Sequence, residues 1–271
     1  MEPSAKHTAL EASGETTRET GIELIVEEPL EIRINGEPFA TIMRTPGNEI
    51  ELAAGFCFTE GIVDKFADIL TIAFCADAED TKNIINVMTP DRGGECEVAD
   101  PRKSSGRKLE SRSSCGLCGV KMLEDIYKRL TPLKDGPQVH AADIVKMQYR
   151  MIEKQELQTR TKGSHAVALV RTDGELVVVR EDVGRHNALD KAIGYALMRG
   201  IDCSNCVAIL SGRISFEMAQ KSVRAGIPIV AAVSAATALA VELADRLNCT
   251  LIGRLRDDDL VVYTHKERVE F

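Results

Sequence analysis

Cys115 and Cys118 are the residues of this 271-residue chain best suited to covalent chemistry. They stand in Arg112-Ser113-Ser114-Cys115-Gly116-Leu117-Cys118-Gly119-Val120, two thiols three positions apart and flanked by glycines. A helical pattern follows at once, with Val120, Leu123, Ile126, Tyr127 and Leu130 on one face. The thiols are therefore expected at or just before a helix N-terminus, where free N–H groups and the positive end of the helix dipole lower a thiol pKa. Arg112 and Lys121 add to that effect. Residues 91–114, rich in Gly, Ser, Arg and Lys, read as a mobile loop, and structureless loops that long are usually functional or disordered. By pattern alone the pair fits half a zinc site, a thioredoxin-like redox pair or a sulfur carrier.

A second pair, Cys203-Ser204-Asn205-Cys206, makes a four-cysteine zinc site conceivable. The two pairs are much further apart than zinc-ribbon spacing allows, and Cys206 directly precedes a core strand, so no bound metal is expected. Cys57, Cys75, Cys96 and Cys249 read as small hydrophobes. Asp257-Asp258-Asp259 sits in a hairpin turn and reads as solvated carboxylates.

A second chemistry is written in three loops. Arg180-Glu181-Asp182-Val183-Gly184-Arg185-His186-Asn187, Ser211-Gly212-Arg213-Ile214-Ser215 and Ser234-Ala235-Ala236-Thr237 each run from the end of an apolar strand into a helix start. Ligands of open α/β sheets bind at that edge. Helix N-termini supplied with Gly, Ser and Arg hold anions, phosphate above all. Arg213 is the leading anion ligand, with Ser211, Gly212 and Ser215 around it. His186 is expected to face the ligand, and His165 to be a hydrogen-bonded structural imidazole. None of these loops is a P-loop or a dinucleotide fingerprint.

The elements that must position these residues fall into two halves. Residues 1–20 lack apolar periodicity and are expected to be a disordered tail. Residues 21–114 read as a small α+β domain ending in the mobile loop. It holds alternating runs over 22–34, the Asn35-Gly36 hairpin signal, a return strand over 39–43, a helix over 49–60 capped by Asn48, and a strand pair over 69–75 and 83–88. Residues 115–271 read as an α/β domain opened by the thiol helix. It has helices over 143–158, 187–199, 216–225 (capped by Ser215) and from Ser234 to 247. Its strands cover 165–170, 176–179, 207–210, 229–233, 250–255 and 260–264. Such alternation means a largely parallel or mixed sheet.

Composition excludes some classes. The net charge of −8 argues against nonspecific nucleic-acid binding and against an anionic membrane surface. The first residues are polar and charged, so no secretory signal is expected, and the apolar run over 227–244 is broken by Pro228, Ser234, Thr237 and Glu242. A reducing cytoplasm is the expected compartment, with free thiols outranking disulfides.

Four stretches together resemble one family. They are Glu28-Pro29-Leu30 through Asn35-Gly36 to Met43-Arg44-Thr45-Pro46-Gly47; Ser114-Cys115-Gly116-Leu117-Cys118-Gly119; Glu181-Asp182-Val183-Gly184-Arg185-His186-Asn187-Ala188-Leu189-Asp190-Lys191; and Ser211-Gly212-Arg213-Ile214-Ser215-Phe216-Glu217-Met218. The chain resembles the formate dehydrogenase accessory sulfurtransferases, the FdhD family, over roughly residues 28–264. The resemblance implies a cytosolic homodimer with a cytidine-deaminase-like three-layer α/β domain. It implies that a cysteine desulfurase hands persulfide sulfur to Cys115, assisted by Cys118. That sulfur then passes to the bis-molybdopterin guanine dinucleotide cofactor of formate dehydrogenase, for which GDP is a fragment mimic. It also implies that Arg254, Leu255, Arg256, Asp257, Asp258 and Asp259 contact that cofactor. Arg254 stands where the family usually has an aromatic, so weaker discrimination of guanine from adenine is expected. The deaminase zinc motif is absent, and deamination is not expected. Two alternatives remain: a cofactor-binding chaperone without sulfur chemistry, and a zinc or redox module built on the Cys pair.

Overall fold

The computed structural model describes residues 2–14, 16–75, 82–90, 130–256 and 259–271. Cys115, Cys118, the loop 91–114, Asp257 and Asp258 lie outside the described residues. Among the described residues no helix is long and apolar enough to cross a membrane.

The first element corrects an expectation. Within residues 1–20, where a disordered tail was expected, lies most of an antiparallel hairpin, β1 (Ser4–Ser13) and β2 (Thr16–Ile25). Its β-branched threonines favour strands, but most of its side chains face solvent on both sides, so no apolar period marks it. It is tied down through Glu23, which accepts hydrogen bonds from Arg160 and, at 2.7 Å, from Ser4.

A four-stranded sheet follows. It contains β3 (Glu28–Ile34), β4 (Glu37–Arg44), β5 (Thr71–Phe74) and β6 (Ile84–Met88) in the order β4-β3-β6-β5. Asn35 and Gly36 both adopt positive φ, 52° and 86°, as the tight turn between β3 and β4 requires. Helix α1 (Glu49–Thr59) covers one face, burying Leu52, Ala53 and Cys57 with Leu30, Ile32, Ile85 and Val87. Asn48 takes the cap position but makes no side-chain cap bond. Its backbone is left-handed, and the nearby Gly47 N–H is bound by Glu49 instead, at 2.8 Å.

After the short β7 (Val139–His140), the helix expected over 143–158 is two helices, α2 (Ala141–Glu153) and α3 (Glu156–Thr161). The break is stabilised from outside. The Glu181 carboxylate accepts the N–H groups of Leu157 and Gln158, both at 2.8 Å, supplying partners for a second helix start.

The larger sheet is built from β8 (His165–Arg171), β9 (Leu176–Asp182), β10 (Cys206–Leu210), β11 (Ile229–Ala232), β12 (Thr250–Arg256) and β13 (Asp259–Val262). Between them run α4 (Arg185–Met198), α5 (Phe216–Arg224) and α6 (Ala238–Arg246). The order is β13-β12-β11-β10-β8-β9. Strands β10, β11 and β12 are parallel, and β9 runs with them because both it and β10 are antiparallel to β8. The sheet is buried on both faces. Along β8, Val167 and Leu169 pack with α4, α5 and α6, while Ala166, Ala168 and Val170 pack with α2. This period-2 division makes a three-layer α/β arrangement. The last strand, β14 (Val269–Glu270), pairs with β7.

The two sheets are joined by α1 crossing α4 at glycines. A Cβ on Gly55 would lie 1.9 Å from the Asp190 carbonyl oxygen, and one on Gly194 would lie 1.9 Å from that of Glu51. Only glycine permits this approach, and it lets a polar cluster close around the crossing. Thr59 donates to Asp190 at 2.8 Å, and Lys221 of α5 binds both Asp190 and Thr59 at 2.8 Å. Burial pushes the Asp190 carboxyl up. Burial also opposes the Lys221 charge, but Asp190 and Glu60 hold that ammonium above its ordinary value.

Candidate anion-binding edge

Because β9, β10, β11 and β12 run the same way, their C-terminal ends form one edge of the sheet. The N-terminal end of the antiparallel β8 joins them, with His165 opposite Asp182. The three loops singled out in the sequence therefore converge. The Ser211 hydroxyl accepts the Ala166 N–H at 2.9 Å and lies 3.4 Å from His165 Nδ1. A Cβ on Gly212 would come within 3.2 Å of His165 Nδ1 and 3.6 Å of Arg185 Cδ. The β10–α5 and β11–α6 loops are stitched by a parallel bridge between Ile214 and Ala236 and by Thr237 N–H donating to the Ile214 carbonyl at 3.0 Å. The Ser234 carbonyl in turn accepts the Arg254 N–H at 2.9 Å, which brings β12 to the same edge.

This stitching corrects one boundary. Ser234 does not cap α6. Residues 235–237 are held extended against Ile214, so the helix begins at Ala238, and Thr237 caps it by accepting the Ala240 N–H at 3.4 Å. Ser215 does stand at the start of α5, but its hydroxyl makes no cap bond. Its Oγ and the Nε of Arg185 are buried polar atoms without a hydrogen-bond partner among the described residues. Buried polar groups are normally paired, and His186 Nε2 is a third buried polar atom without a hydrogen bond in the same loops. Arg213 is exposed beside them.

The other candidates divide. His186 faces Glu217, with its Nε2 at 2.8 Å from that carboxylate. The neighbouring His186 ring holds the Glu217 carboxyl below its usual range. His165 is half-buried, and burial, then the Arg185 charge, pushes its imidazole pKa down. Arg254 and Arg256 are exposed on β12, whose pairing with β13 is irregular between Gly253 and Arg256, with Arg254 at φ 55°. A Cβ on Gly253 would collide with Tyr263 at 2.8 Å and the Ser234 carbonyl at 2.9 Å. The side chain of Leu255 cannot meet a ligand: it is fully buried on the α2 face of the sheet. Asp259 is exposed and pairs with Arg256 across the hairpin. Among the described residues no cluster of His, Cys, Asp and Glu is grouped to hold a metal.

Much of the Glu181–Lys191 motif turns out to hold the protein together. Asp182, fully buried, pairs with Lys191 at 2.7 Å. It also accepts from Thr45 N–H at 3.1 Å, Gly184 N–H at 2.9 Å and the Asn187 amide at 3.0 Å. Lys191 also donates to the Thr45 carbonyl at 2.9 Å and Asn187 to that of Met43 at 2.7 Å. The Thr45-Pro46-Gly47 turn is thus clamped onto the β9–α4 loop. Burial lowers the Lys191 pKa, against the pull of Asp182. Sequence reasoning missed this clamp. Its signal was the four-residue step from Asn187 to Lys191, which places both on one helix face behind Asp182.

The fold is thus an α/β protein in which the strand ends bring Arg185, Arg213, Ser211 and Ser215 to one edge of the larger sheet. Comparison makes this specific: residues 25–270 match the model of the FdhD/NarQ family, and the chain belongs to that family. It is 44% identical over 250 residues to a protein of Mycolicibacterium paratuberculosis named sulfur carrier protein FdhD, with 91% of each chain covered. A protein of the same name from Streptomyces coelicolor is 44% identical over 254 residues, covering 91% of this chain and 88% of its own. A solved structure from Desulfotalea psychrophila, assigned as a formate dehydrogenase accessory protein, superposes with a TM-score of 0.78 at 25% identity. It covers 99% of this chain and all of its own.

Proposed function

We propose that this protein is a sulfur carrier that serves formate dehydrogenase. The supporting observation is the family match across residues 25–270, with relatives at 44% identity named as sulfur carriers. Within it the Cys115-Gly116-Leu117-Cys118 pair supplies the nucleophile. The Cys115 thiolate attacks the terminal sulfur of a persulfide on a cysteine desulfurase. The donor sulfur–sulfur bond breaks, the donor leaves as a thiolate, and Cys115 holds the new persulfide. The Cys118 thiolate then attacks the Cys115 sulfur of that persulfide, the outer sulfur leaves at the sulfide level to the bis-molybdopterin guanine dinucleotide cofactor, which is substrate here, and a Cys115–Cys118 disulfide remains. The working unit is a cytoplasmic homodimer.

The sheet edge suits the guanine nucleotide half of that substrate. Arg213, the orphaned Arg185 Nε and the Ser215 hydroxyl are donors for a diphosphate, and Gly212 leaves room against His165 and Arg185. The exposed Arg254 offers a guanidinium plane to a base. Incubation with a desulfurase and cysteine, followed by peptide mass spectrometry, tests the carrier step. One added sulfur on the Cys115 peptide is expected. Label confined to Cys203 or Cys206 would refute the assignment of Cys115.

A further inference from the structure

The second thiol pair plays no part in that reading. Cys203 opens a single 3₁₀ turn (Cys203–Asn205) and Cys206 begins β10, at the sheet edge opposite the anion loops. The turn is well made. The Asp202 carboxylate accepts the Ser204 N–H at 2.9 Å, and the Cys206 N–H donates to the Cys203 carbonyl. At three residues per turn and roughly 2 Å rise per residue, the first and fourth Cα atoms of a 3₁₀ turn lie roughly 6 Å apart. That is within the span of about 4.4–6.8 Å that a disulfide bridges. Both side chains turn inward into the same apolar cluster, where Cys203 Sγ donates to the Ile201 carbonyl at 3.8 Å and Cys206 Sγ to the Asp202 carbonyl at 3.9 Å.

We propose that Cys203 and Cys206 form a redox-active dithiol that closes to an intrachain disulfide on meeting a small oxidant of the peroxide class. The roles follow from the unequal surroundings of the two thiols. The interaction between the two neighbouring thiols holds Cys206 below its ordinary value and pushes Cys203 above it, and Arg171 adds to the lowering of Cys206. Cys206 is the nucleophile and Cys203 the resolving thiol. The Cys206 thiolate attacks one peroxide oxygen, the O–O bond breaks, and the departing hydroxide takes a proton to leave as water. The sulfenic acid formed is then attacked by the Cys203 sulfur. An S–S bond forms, the S–O bond breaks, and the Cys203 proton leaves with that oxygen as a second water. Two thiols and one hydrogen peroxide give one disulfide and two waters. The attacking Cys206 is fully buried and Cys203 is 6% exposed, so the oxidant enters by opening the turn between them, whose Ser204 and Asn205 are exposed. Cys57 and Cys249 contrast with this pair: burial pushes both thiols up to about 12, leaving them inert.

The test uses the full chain. After brief exposure to hydrogen peroxide, free thiols are alkylated and the protein is digested with trypsin, which releases residues 200–213 with both cysteines on one peptide. The expected product is that peptide unalkylated and lighter by two hydrogens, restored to the doubly alkylated form by dithiothreitol. Cys203→Ser and Cys206→Ser should each abolish it, and Cys203→Ser should leave a sulfenic acid on Cys206 that dimedone captures. The proposal is overturned if both thiols alkylate fully on denaturation after a dose that oxidises glutathione in the same tube. Sulfinic acid without a disulfide, or a bridge from either residue to another cysteine, overturns it equally. The wild-type measurement decides the matter even where a variant fails to fold.

Discussion

Gly194→Ala isolates the close helix crossing, one of the contacts that join the two sheets. Within an ordinary helix this change is favourable by about 0.8–1.0 kcal/mol, because alanine restricts the unfolded chain and glycine does not. Here the sign reverses. The new methyl would lie 1.9 Å from the Glu51 carbonyl oxygen and 2.9 Å from the Gly55 nitrogen, both backbone atoms of α1 that no rotamer change can move. The helices must separate by more than 1 Å, at the cost typical of core overpacking, about 1–3 kcal/mol and occasionally more. The loss falls at the upper end, because separation also stretches the Thr59–Asp190 hydrogen bond (2.8 Å) and the Arg180–Glu51 ion pair (2.6 Å). Setting about 3–4 kcal/mol of strain against the propensity gain leaves a net destabilisation of about 2–3 kcal/mol. For a chain of this size that lowers Tm by roughly 4–10 °C. Calorimetry of Gly194→Ala beside Gly21→Ala, where a Cβ meets nothing within 4 Å, measures it. A Gly194→Ala protein that melts at or above wild type would show that the close crossing does not join the sheets.

Three further outcomes are expected. Lys191→Met strands Asp182 in the core; breaking a buried pair costs about 3–5 kcal/mol. The three N–H groups that still bind Asp182 place the loss near 3 kcal/mol, readable by urea denaturation; unchanged stability would refute the clamp. Hydrogen bonds from Arg160, then Ser4, hold the Glu23 carboxyl at about 2. The hairpin anchor is therefore fully present above the ordinary carboxylate range and is lost as pH falls towards 2; an NMR titration midpoint near 4.5 for Glu23 would exclude it. Arg213→Ala should weaken GDP binding roughly ten- to a hundred-fold, the worth of one charged hydrogen bond at about 1.5–3 kcal/mol; equal calorimetric affinities would remove Arg213 from the edge.

The alternating strands and helices after residue 164 were legible because each β-strand is a short apolar run and each helix has a cap or glycine beside it. What the sequence hid were interactions made at long range. Glu181 divides α2 from α3 by binding N–H groups more than twenty positions away. The Ile214–Ala236 bridge delays α6 past Ser234. The hairpin β1–β2 has no apolar face to announce it and depends on Arg160. At the site, the convergence of three loops followed from strand direction alone. Leu255 was not legible, because the irregularity at Arg254 breaks the alternation along β12 and turns Leu255 to the same face as Ile252, three positions earlier.

The Glu181–Lys191 run divides between residues that hold the fold together and one that keeps an unspent donor. Glu181 caps a helix, Asp182, Asn187 and Lys191 clamp the Thr45 turn, and Asp190 joins α1 and α5. These residues have their hydrogen bonds satisfied inside the protein, so none of them has capacity left for a ligand. Arg185 lies in the same run, and its Nε is buried without a partner. The clamp fixes the backbone on both sides of it, through Gly184 N–H and the Asn187 amide. A guanidinium held rigid with an unspent donor costs a ligand little ordering entropy on binding, which is the condition under which one charged hydrogen bond contributes most to affinity.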